Sequence, residues 1–428
     1  MIFYFNEMEY KFYMDNNKQK TIMILGAGQL QVPLLQRAKE RGLRIIVVSP
    51  DSNQPGIPYA DFVVNLDVCD EKGILEEARE YQIDGITTDQ TDLPVRTAAY
   101  VAEKMNLPGI GYELSCLFTN KYKMRCKCDE LDIPNQKYAM VNNLDDAIES
   151  MKNIGFPAII KPIDSQASHG VTRVNSLDDL KASFDEAVSY SRFGDVLIEQ
   201  WIDGEEFCVD SYMLNGKCTV MAVGHYCSFA IDGAFASYET EFPANISPKE
   251  TERIVDMNRK ITEGFGLQNG RTHAEYFLTK DKCYLIEIAA RGGGAFFSSD
   301  CVRFISGIST EDYMLDYALG MPVNVQNDSA CQYNCCCTLF FYLPENGIIV
   351  STDGLEKIMK LPYIHRNNIN IFSCGMKTLP ILDKGSRGFM VVTADSYEQL
   401  QKRINYIRST LHIMTETENG DVLPPIWK

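Results

Sequence analysis

The stretch RTHAEYFLTKDKCYLIEIAARGGG, residues 271–294, decides how the rest of the chain is interpreted. Its alternation of apolar and polar residues predicts a β-hairpin with a turn around residues 280–282. Side chains alternate between the two faces of a strand, so His273 and Glu275 share a face of the first strand. On the second strand, the residues expected to share one face are Cys283, Leu285, Glu287 and Ala289.

Glu275 and Glu287 give this hairpin its chemistry. If the turn has an odd number of residues, the two carboxylates lie on the same face, opposite or diagonal to each other. Like charges in that arrangement are unfavourable unless a cation lies between them. Mg2+ is usually held by one or two carboxylates, with phosphates and water as further ligands. The hairpin therefore predicts a metal site, and the alternative is an ordinary hairpin with a polar outer face.

Arg291 and three consecutive glycines follow the second strand. They bring positive charge and unobstructed backbone N–H groups to its end. Arg291 comes four positions after Glu287, so in a continuous extended strand both side chains project from the same face. The spacing thus predicts a guanidinium close to the metal.

Composition excludes several classes of partner. The chain has 428 residues, which suggests about three domains, and a formal net charge of −17 from 41 basic and 58 acidic residues. Such an acidic chain is a poor ligand for nucleic acid or an anionic membrane, since both require clustered Lys and Arg. No stretch is apolar enough for a membrane span or a signal peptide, which predicts a cytoplasmic protein.

The cysteines and the N-terminus predict no further site. The 14 cysteines lack the paired spacing of structural zinc sites, so reduced and mostly buried thiols are expected. Met14 opens a conventional start, which makes residues 1–13 an expected upstream extension.

The N-terminal part alternates between strands and helices. Strands are predicted at residues 21–25, 43–48, 62–65 and 85–88, with helices ending near Arg41, Tyr81 and Met105. This alternation is typical of a parallel sheet covered on both faces. Gly26 and Gly28 suggest a dinucleotide fingerprint, but Gln31 stands where its third glycine is required, which argues against a nicotinamide site.

The middle of the chain contains two further segments of interest. Lys161 ends the apolar strand FPAIIKP and precedes a small polar loop, residues 164–171, so the lysine and the loop N–H groups could contact phosphates. The alternative is a lysine that protects an edge strand. In VLIEQWIDGEEF, residues 196–207, the extended backbone could meet an adenine edge while a carboxylate takes ribose hydroxyls.

In order and spacing these elements resemble the ATP-grasp superfamily over nearly the whole chain. The resemblance rests on Lys121, on Lys161 in its strand, on Glu199 followed by Glu206, and on the hairpin with Glu275, Glu287 and Arg291. The segment SSDCVRFISGISTEDYMLDYALG resembles the helix after the metal hairpin in the biotin carboxylase and carbamoyl phosphate synthase branch. The sequences THAE and IEIAAR are most similar to the L-amino-acid ligase and carnosine synthase type.

The resemblance implies a role for each matching residue. ATP would be bound by Lys121, Lys161, Ser165, Ser168, His169, Gly170, Glu199, Gln200, Trp201, Ile202 and Glu206. Glu275 and Glu287 would hold Mg2+, with Mn2+ as an alternative. Arg291, with Lys161, would be catalytic and would stabilise the oxyanion. The substrate would meet His273, Arg291, Gly292 and Gly293.

Two positions depart from the family pattern. Many relatives have Asn two positions after the second metal glutamate, where this chain has Ala289, which leaves the number of metal ions open. The phosphate loop has Gly170 where relatives often have several glycines, and His169 is unusual in it.

The expected architecture is α/β in three parts after an N-terminal extension, residues 1–20. A Rossmann-like pre-ATP-grasp domain of residues 21–115 precedes an α+β ATP-grasp domain of residues 116–322, and a small α+β region of residues 323–428 completes the module. The expected activity is ATP-dependent ligation of a small carboxylate to an amine through an acyl phosphate, with release of ADP. Activation of bicarbonate or of a purine precursor, and a non-catalytic ATP-binding module, are the alternatives, and a homodimer is common in the family.

Overall fold

The computed structural model describes residues 19–165, 169–231, 234–323, 325, 331–381 and 386–428. The expected extension, residues 1–13, lies outside this part of the chain. Among the described residues, no helix combines the length and the apolar character needed to cross a membrane. No disulfide joins any of the cysteines in that same part.

Helices and strands alternate through most of the chain. The helices are α1 (Val32–Glu40), α2 (Glu71–Glu80), α3 (Val95–Met105), α4 (Tyr112–Leu117), α5 (Lys121–Glu130), α6 (Leu144–Ile154), α7 (Leu177–Ser189), α8 (Pro248–Gly264), α9 (Val302–Ser306), α10 (Thr310–Ala318), α11 (Leu355–Met359) and α12 (Tyr397–Thr410). The strands are β1 (Thr21–Leu25), β2 (Arg44–Val48), β3 (Phe62–Val64), β4 (Gly85–Thr87), β5 (Tyr138–Val141), β6 (Ala158–Pro162), β7 (Thr172–Val174), β8 (Val196–Gln200), β9 (Glu205–Leu214), β10 (Lys217–Ile231), β11 (Ala234–Phe242), β12 (Gly270–Leu278), β13 (Cys283–Ala289), β14 (Cys335–Tyr342), β15 (Ile348–Asp353), β16 (Ile364–Asn367), β17 (Arg387–Ala394), β18 (His412–Glu416) and β19 (Val422–Leu423).

The chain divides into two compact units. Residues 1–116 and 309–325 form the first, and residues 117–308 and 326–428 form the second. The second unit thus includes the segment that follows residue 325. This division differs from the domain boundaries expected from the sequence, because residues 309–322 were placed with the ATP-grasp domain and instead belong to the N-terminal unit.

The first unit contains a four-stranded sheet in the order β3-β2-β1-β4, and its pairings are parallel. The predicted strand at residues 21–25 is confirmed, and its side chains are buried throughout. Apolar side chains of α2 and α3 pack on the sheet, among them Ile74 and Val101. The parallel sheet predicted from the alternating pattern is therefore confirmed.

Helix α10 joins this unit although nearly two hundred residues separate it from α4. Arg37 donates to both carboxylate oxygens of Asp312, each at 2.8 Å. Arg41 approaches Asp312 at 3.3 Å and Asp316 at 2.6 Å. A sequence motif that continues from the hairpin into α10 gives no sign of these distant partners, which explains the different boundary.

The second unit is built on an eight-stranded sheet in the order β13-β12-β9-β10-β11-β14-β17-β16. A four-stranded sheet, β5-β8-β6-β7, and a three-stranded sheet, β15-β18-β19, belong to the same unit. Ser247 and Glu250 form a capping box at the start of α8. Ser396 caps α12, the predicted final helix. The α/β fold class, with an α+β part after the parallel sheet, is confirmed.

Candidate active site

The hairpin of β12 and β13 places Glu275 directly opposite Glu287. The connecting turn has four residues, 279–282, because Leu278 pairs with Cys283. The expected odd number is therefore wrong, and a regular ladder with this turn would set Ile286 opposite Glu275. A β-bulge between Glu275 and Tyr276 adds one residue to β13 and brings Glu287 into register.

The bulge also changes which residues share a face of β13. Cys283 and Leu285 pair with Leu278 and Tyr276, on the side away from Glu275. Both are almost completely buried. The expectation that Cys283 and Leu285 share the face of Glu287 is therefore wrong, because one inserted residue reverses the alternation between Leu285 and Glu287.

A cavity of about 480 Å3 lies within the second unit, beside the hairpin. Its walls come from the four-stranded sheet, α5 and the β9–β10 and β12–β13 strands. The polar residues that line it include Lys121, Arg125, Gln136, Lys161, Glu199, Glu206, Tyr226, Glu275 and Glu287, and the apolar ones include Ile159, Val171, Ile202, Phe277 and Ile286. Residues separated by more than 150 positions thus meet at one site.

Lys121 begins α5 and points at the metal hairpin. Its Nζ lies 2.9 Å from Glu287 Oε2 and donates to the carbonyl oxygen of Ser165 at 2.7 Å. Burial alone would raise the pKa of Glu287, but the charges of Lys121, Lys161 and Arg291 outweigh it and hold the pKa well below its usual range. Glu287 is therefore a carboxylate at neutral pH.

Lys161 lies at the end of β6, where the sequence predicts it, and is 5% exposed. Its Nζ is 2.5 Å from Glu199 Oε2. Burial lowers the pKa of Lys161, and Glu199 opposes this effect. Strand β6 lies between β8 and β7, so it is not an edge strand. The alternative interpretation of Lys161, as a residue that protects an edge strand, is therefore a poor explanation of this buried ammonium group.

Glu199 has two cationic partners. Arg125 Nε donates to its Oε1 at 2.5 Å, and Lys161 takes Oε2. Burial alone would raise the pKa of Glu199, but both cations lower it. We therefore infer that Glu199 fixes Lys161 and Arg125, rather than contacting adenine or ribose with its carboxylate.

Arg125 is a site residue that the sequence did not reveal. It is completely buried, and its Nη2 donates to the carbonyl oxygen of Ile286, the residue at the bulge. One side chain thereby ties α5 to β8 and to β13. The available signal was its spacing from Lys121, because residues four apart share a helix face.

Glu206 faces the same cavity as the two hairpin carboxylates. Burial raises its pKa to about 8, and the negative charges of Glu275 and Glu287 add to the effect. The carboxylates of Glu206, Glu275 and Glu287 repel one another, and a divalent cation bound between them would reduce this repulsion. Glu275 and Glu287 therefore fit Mg2+, with Glu206 nearby.

His273 is oriented differently from its expected role as a substrate ligand. Its ring is 5% exposed, with Nδ1 2.9 Å from Asp210 and Nε2 3.5 Å from Glu275. Burial alone would lower the pKa of His273, but Asp210 and Glu275 raise it to about 9. Since both ring nitrogens face protein carboxylates, we infer that His273 positions Glu275 and does not meet the substrate.

Tyr226 completes this group from β10. Its hydroxyl donates to Glu275 Oε1 at 3.1 Å. Asp210, the anchor of His273, also accepts from Ser298 Oγ at 2.5 Å and from Gly293 N at 3.2 Å. The Glu275 carboxylate is therefore held from two sides by side chains that are themselves fixed.

The segment after β13 brings Arg291 near Glu287, although the strand ends at Ala289. Arg291 is 9% exposed, and its Nη1 donates to the carbonyl oxygen of Gly292 at 2.9 Å. A Cβ on Gly293 would lie 2.5 Å from His273 Nδ1, so only glycine fits there. The N–H of Gly293 donates a hydrogen bond to Asp210, which in turn contacts His273. We therefore infer that Gly293 supports His273 instead of touching the substrate.

The predicted phosphate loop is only partly described. Ser165 Oγ donates to the carbonyl oxygen of His169 at 2.9 Å, and the His169 ring stacks on Tyr190 at 5.5 Å. Gly170 has a φ of +69°, and a Cβ there would contact Pro162 at 3.0 Å. Ser168 lies outside the described residues.

The linker between β8 and β9 lines the cavity as predicted for the base-binding segment. Gln200, Trp201 and Ile202 all border it. The N–H of Trp201 is donated to the carbonyl oxygen of Pro157 at 3.1 Å, so it is already used within the fold. Arg173 packs over the Trp201 indole at 4.4 Å, which fixes the linker against β7.

Gln136 is a second residue that sequence reasoning missed. It is 8% exposed and lines the cavity. Among the described residues, none donates a hydrogen bond to its Oε1. A buried acceptor without a partner is costly, so this oxygen is suited to a donor from a bound molecule. Nothing in the segment PNQK, residues 134–137, that precedes β5 distinguishes it.

Comparison with known proteins defines the class. Residues 154–300 match the sequence model of the ATP-grasp domain, and residues 19–111 match that of the ribonucleotide synthetase preATP-grasp domain. The chain therefore contains an ATP-grasp domain preceded by a preATP-grasp domain, and its relatives are ATP-dependent ligases.

Individual relatives are distant. Formate-dependent phosphoribosylglycinamide formyltransferase of Herminiimonas arsenicoxydans is 22% identical over 80% of this chain and 83% of its own length. Alanine–anticapsin ligase of Bacillus subtilis is 26% identical over 65% of this chain and 64% of its own length.

Solved structures show the same fold. The L-amino acid ligase of Bacillus licheniformis has a TM-score of 0.79 at 22% identity, covering 93% of this chain and 99% of its own. The biotin carboxylase domain dimer of Hydrogenobacter thermophilus 2-oxoglutarate carboxylase, with MgADP and bicarbonate, has a TM-score of 0.71 at 16% identity, covering 92% and 91%.

Proposed function

We propose that the chain is an ADP-forming carboxylate–amine ligase that acts through an acyl phosphate. The observation that carries the proposal is the meeting of Lys121, Lys161, Glu275 and Glu287 at one cavity, where the positive charge of Arg291 also acts on Glu287. Two ammonium groups suit the phosphates of ATP, and two facing carboxylates suit the magnesium that accompanies them.

The nucleotide base would occupy the apolar part of the cavity. Ile159 from β6 and Ile286 from the bulge line it from two different sheets. The Oε1 of Gln136 would accept a hydrogen bond from the adenine amino group, since it has no donor among the described residues. Glu206 would lie near the ribose, as the resemblance implies.

The phosphates would lie toward Lys121 and Lys161. Each lysine also contacts a carboxylate, Glu287 for Lys121 and Glu199 for Lys161. Mg2+ at Glu275 and Glu287 would neutralise phosphate charge and keep the β- and γ-phosphates aligned. The protein contributes by positioning groups and neutralising charge, which is how phosphoryl transfer is generally catalysed.

The reaction would proceed in two balanced steps. An oxygen of the substrate carboxylate attacks the γ-phosphorus, the bond to the β-phosphate oxygen breaks, and ADP leaves. The amine nitrogen then attacks the acyl carbon, loses a proton to solvent, and phosphate leaves. Arg291 would stabilise the oxyanion on that carbon.

The names of the relatives support small-molecule substrates but differ in chemistry. The alanine–anticapsin ligase and the L-amino acid ligase favour an amino acid as the carboxylate. The formate-dependent formyltransferase favours formate with a phosphoribosyl amine, which is the purine-precursor alternative. We propose an amino acid as the acid, and a homodimer of the kind named for the biotin carboxylase domain.

Hydroxylamine tests the proposed intermediate. With ATP, Mg2+ and the correct amino acid, it should yield a hydroxamate and ADP. Formation of AMP and pyrophosphate would contradict the acyl phosphate, and hydroxamate formation with formate but no amino acid would favour the formyl alternative. Substituting Arg291→Ala should retain ATP affinity but reduce hydroxamate formation roughly 100- to 1000-fold, as for other oxyanion contacts.

A further inference from the structure

Strand β10 carries a second group of potential metal ligands beside Tyr226. His225 and Cys227 flank Tyr226, so they project to the other side of the strand from the Tyr226 hydroxyl. Glu241 on β11 is the direct cross-strand partner of His225. A ligand atom from each of these three residues lies within 4.8 Å of the other two.

The sheet holds the three side chains together before any ligand is bound. Two of them come from one strand and the third from its hydrogen-bonded neighbour, so their Cα spacing is fixed by the ladder. The His225 ring stacks on Phe207 with 4.7 Å between ring centres and 16° between planes. Only small rotations of the side chains are needed to bring the ligand atoms around one ion.

Two of the three ligands, Glu241 and His225, have an outer partner of the kind that orients metal-binding side chains. Gln401 Nε2 donates to Glu241 Oε1 at 2.7 Å. Glu205 Oε2 lies 3.7 Å from His225 Nε2.

The local electrostatics favour a cation. Glu241 is 3% exposed, and its neighbour Glu239 is also buried. Glu239 and Glu241 are two positions apart on β11, so both carboxylates lie on one face of the strand. Arg408 offsets part of this charge through Glu239, at 2.6 Å. Negative charge concentrated in a buried position is stabilised by a bound metal ion.

We propose that His225, Cys227 and Glu241 form a binding site for one thiophilic divalent cation of the Zn2+ type, separate from the magnesium site at Glu275 and Glu287. Imidazole, thiolate and carboxylate are the ligands that Zn2+ takes in proteins, and Mg2+ does not favour sulfur. Three protein ligands leave a fourth position for water. His225 and Cys227 also line the cavity, so the cation would lie next to the nucleotide site.

Cobalt provides a direct test, because Co2+ replaces Zn2+ and shows a thiolate-to-metal charge-transfer absorption. Full-length protein, freed of metal with a chelator and kept without ATP, is titrated with Co2+. We expect the charge-transfer band to saturate at one Co2+ per chain and to disappear when Zn2+ is added. A parent protein without this band overturns the proposal.

Matched variants locate the ligands. Cys227→Ser should abolish the band, while Cys374→Ser, at an exposed cysteine, should leave it unchanged. Glu287→Gln should also leave it unchanged, since that residue belongs to the other site. A band that persists in Cys227→Ser overturns the proposal.

Circular dichroism establishes that the variants are folded. If Cys227→Ser is unfolded, His225→Asn serves instead, with at least a 10-fold weaker Co2+ affinity as the expected result, and unchanged affinity overturns the proposal. Because the test contains no ATP and measures no turnover, its outcome is independent of the proposed ligase activity.

Discussion

At the scale of single residues, the site is a set of charges held in fixed pairs. Glu287 is paired with Lys121, and Glu275 with His273 and Tyr226. The consequence is that removing one carboxylate also changes its partners. Substitutions that keep the shape of a side chain but remove its charge or acceptor are therefore the informative ones.

Glu287→Gln should lower turnover by at least roughly 100-fold, because a metal ligand and the partner of Lys121 are both lost. The fold should persist, since Glu287 lies in a cavity wall and not in an apolar core. Steady-state assays at saturating Mg2+ measure the loss. Glu252→Gln, at an exposed position of α8, is the control, and equal activity in both variants would contradict the metal assignment.

Gln136→Leu should weaken ATP binding by roughly 2- to 10-fold, which corresponds to a neutral hydrogen bond of about 0.5–1.5 kcal/mol. GTP carries a carbonyl oxygen where ATP carries the amino group, so the parent should discriminate against GTP and the variant should do so less. Calorimetric titration with both nucleotides measures this. Gln332→Leu, at an exposed position, should have no effect, and unaltered selectivity in Gln136→Leu would return that residue to a structural role.

At the scale of elements, the β12–β13 hairpin shows what a sequence pattern can and cannot predict. Alternation correctly predicted the two strands, because period-two patterns follow directly from strand geometry. It could not predict the bulge, because a bulge is defined by the partner strand. The pairing of Glu275 with Glu287 was reached only through an assumed odd turn.

The other site residues also fall into those that local sequence predicts and those that depend on distant contacts. Lys121 and Lys161 lie in recognisable local contexts, a capped helix start and a strand end, and the structure places both at the cavity. Arg125, Gln136 and the anchoring of His273 by Asp210 depend on contacts between distant segments. Local sequence contains little information on such contacts.

Ile286 forms the bulge that sets Glu287 opposite Glu275, and it also lines the cavity. Deleting Ile286 tests these two roles separately. With the four-residue turn unchanged, a regular ladder would still set Glu287 opposite Glu275, so Mg2+ dependence should persist. The apolar wall and the carbonyl that accepts from Arg125 would be lost, and burial of an isoleucine side chain is worth about 1.5–3 kcal/mol. We therefore expect the KM for ATP to rise at least roughly 10-fold.

Initial rates over a range of ATP and Mg2+ concentrations measure that effect. Ile286→Ala, which keeps the bulge and removes most of the side chain, is the matched control and should raise the KM less. Loss of Mg2+ dependence in the deletion variant would show that the bulge itself is required to pair the two carboxylates.

At the scale of the whole molecule, the chain leaves its first unit after residue 116 and returns to it at residue 309. Helix α10 is attached there by ion pairs of Asp312 with Arg37 and Arg41. Residues 117–308 of the second unit therefore lie, in sequence, between the two parts of the first, and the rest of the second unit follows residue 325. Stability of the first unit depends on contacts made only after residues 117–308 of the second unit have been synthesised.

Asp312→Asn should lower the free energy of unfolding of the first unit by about 1 kcal/mol, the upper range for partly exposed pairs. Burial alone would raise the pKa of Asp312, but the hydrogen bond from Arg37 leads the groups that lower it below its usual value. The stabilisation is thus complete above the unfolded pKa and is lost as pH falls through the lower folded pKa. The difference between parent and variant should vanish in strong acid.

Thermal and urea unfolding at neutral pH and at about pH 3 check this prediction. Asp178→Asn, in an exposed pair with Lys181, is the control and should change little at either pH. A difference between parent and Asp312→Asn that grows as the pH falls would contradict the assigned sign.

The inserted residue at Ile286 also affects how homologous sequences should be aligned. A relative whose turn is one residue shorter or longer can set its two glutamates opposite each other without a bulge. Such a relative can have the same number of residues between its glutamates and then aligns with this chain without a net gap, whereas a relative that lacks only the bulge residue takes its gap at Ile286. Profiles that force all hairpins into one spacing will misplace either the metal glutamate or the preceding wall residue by one column.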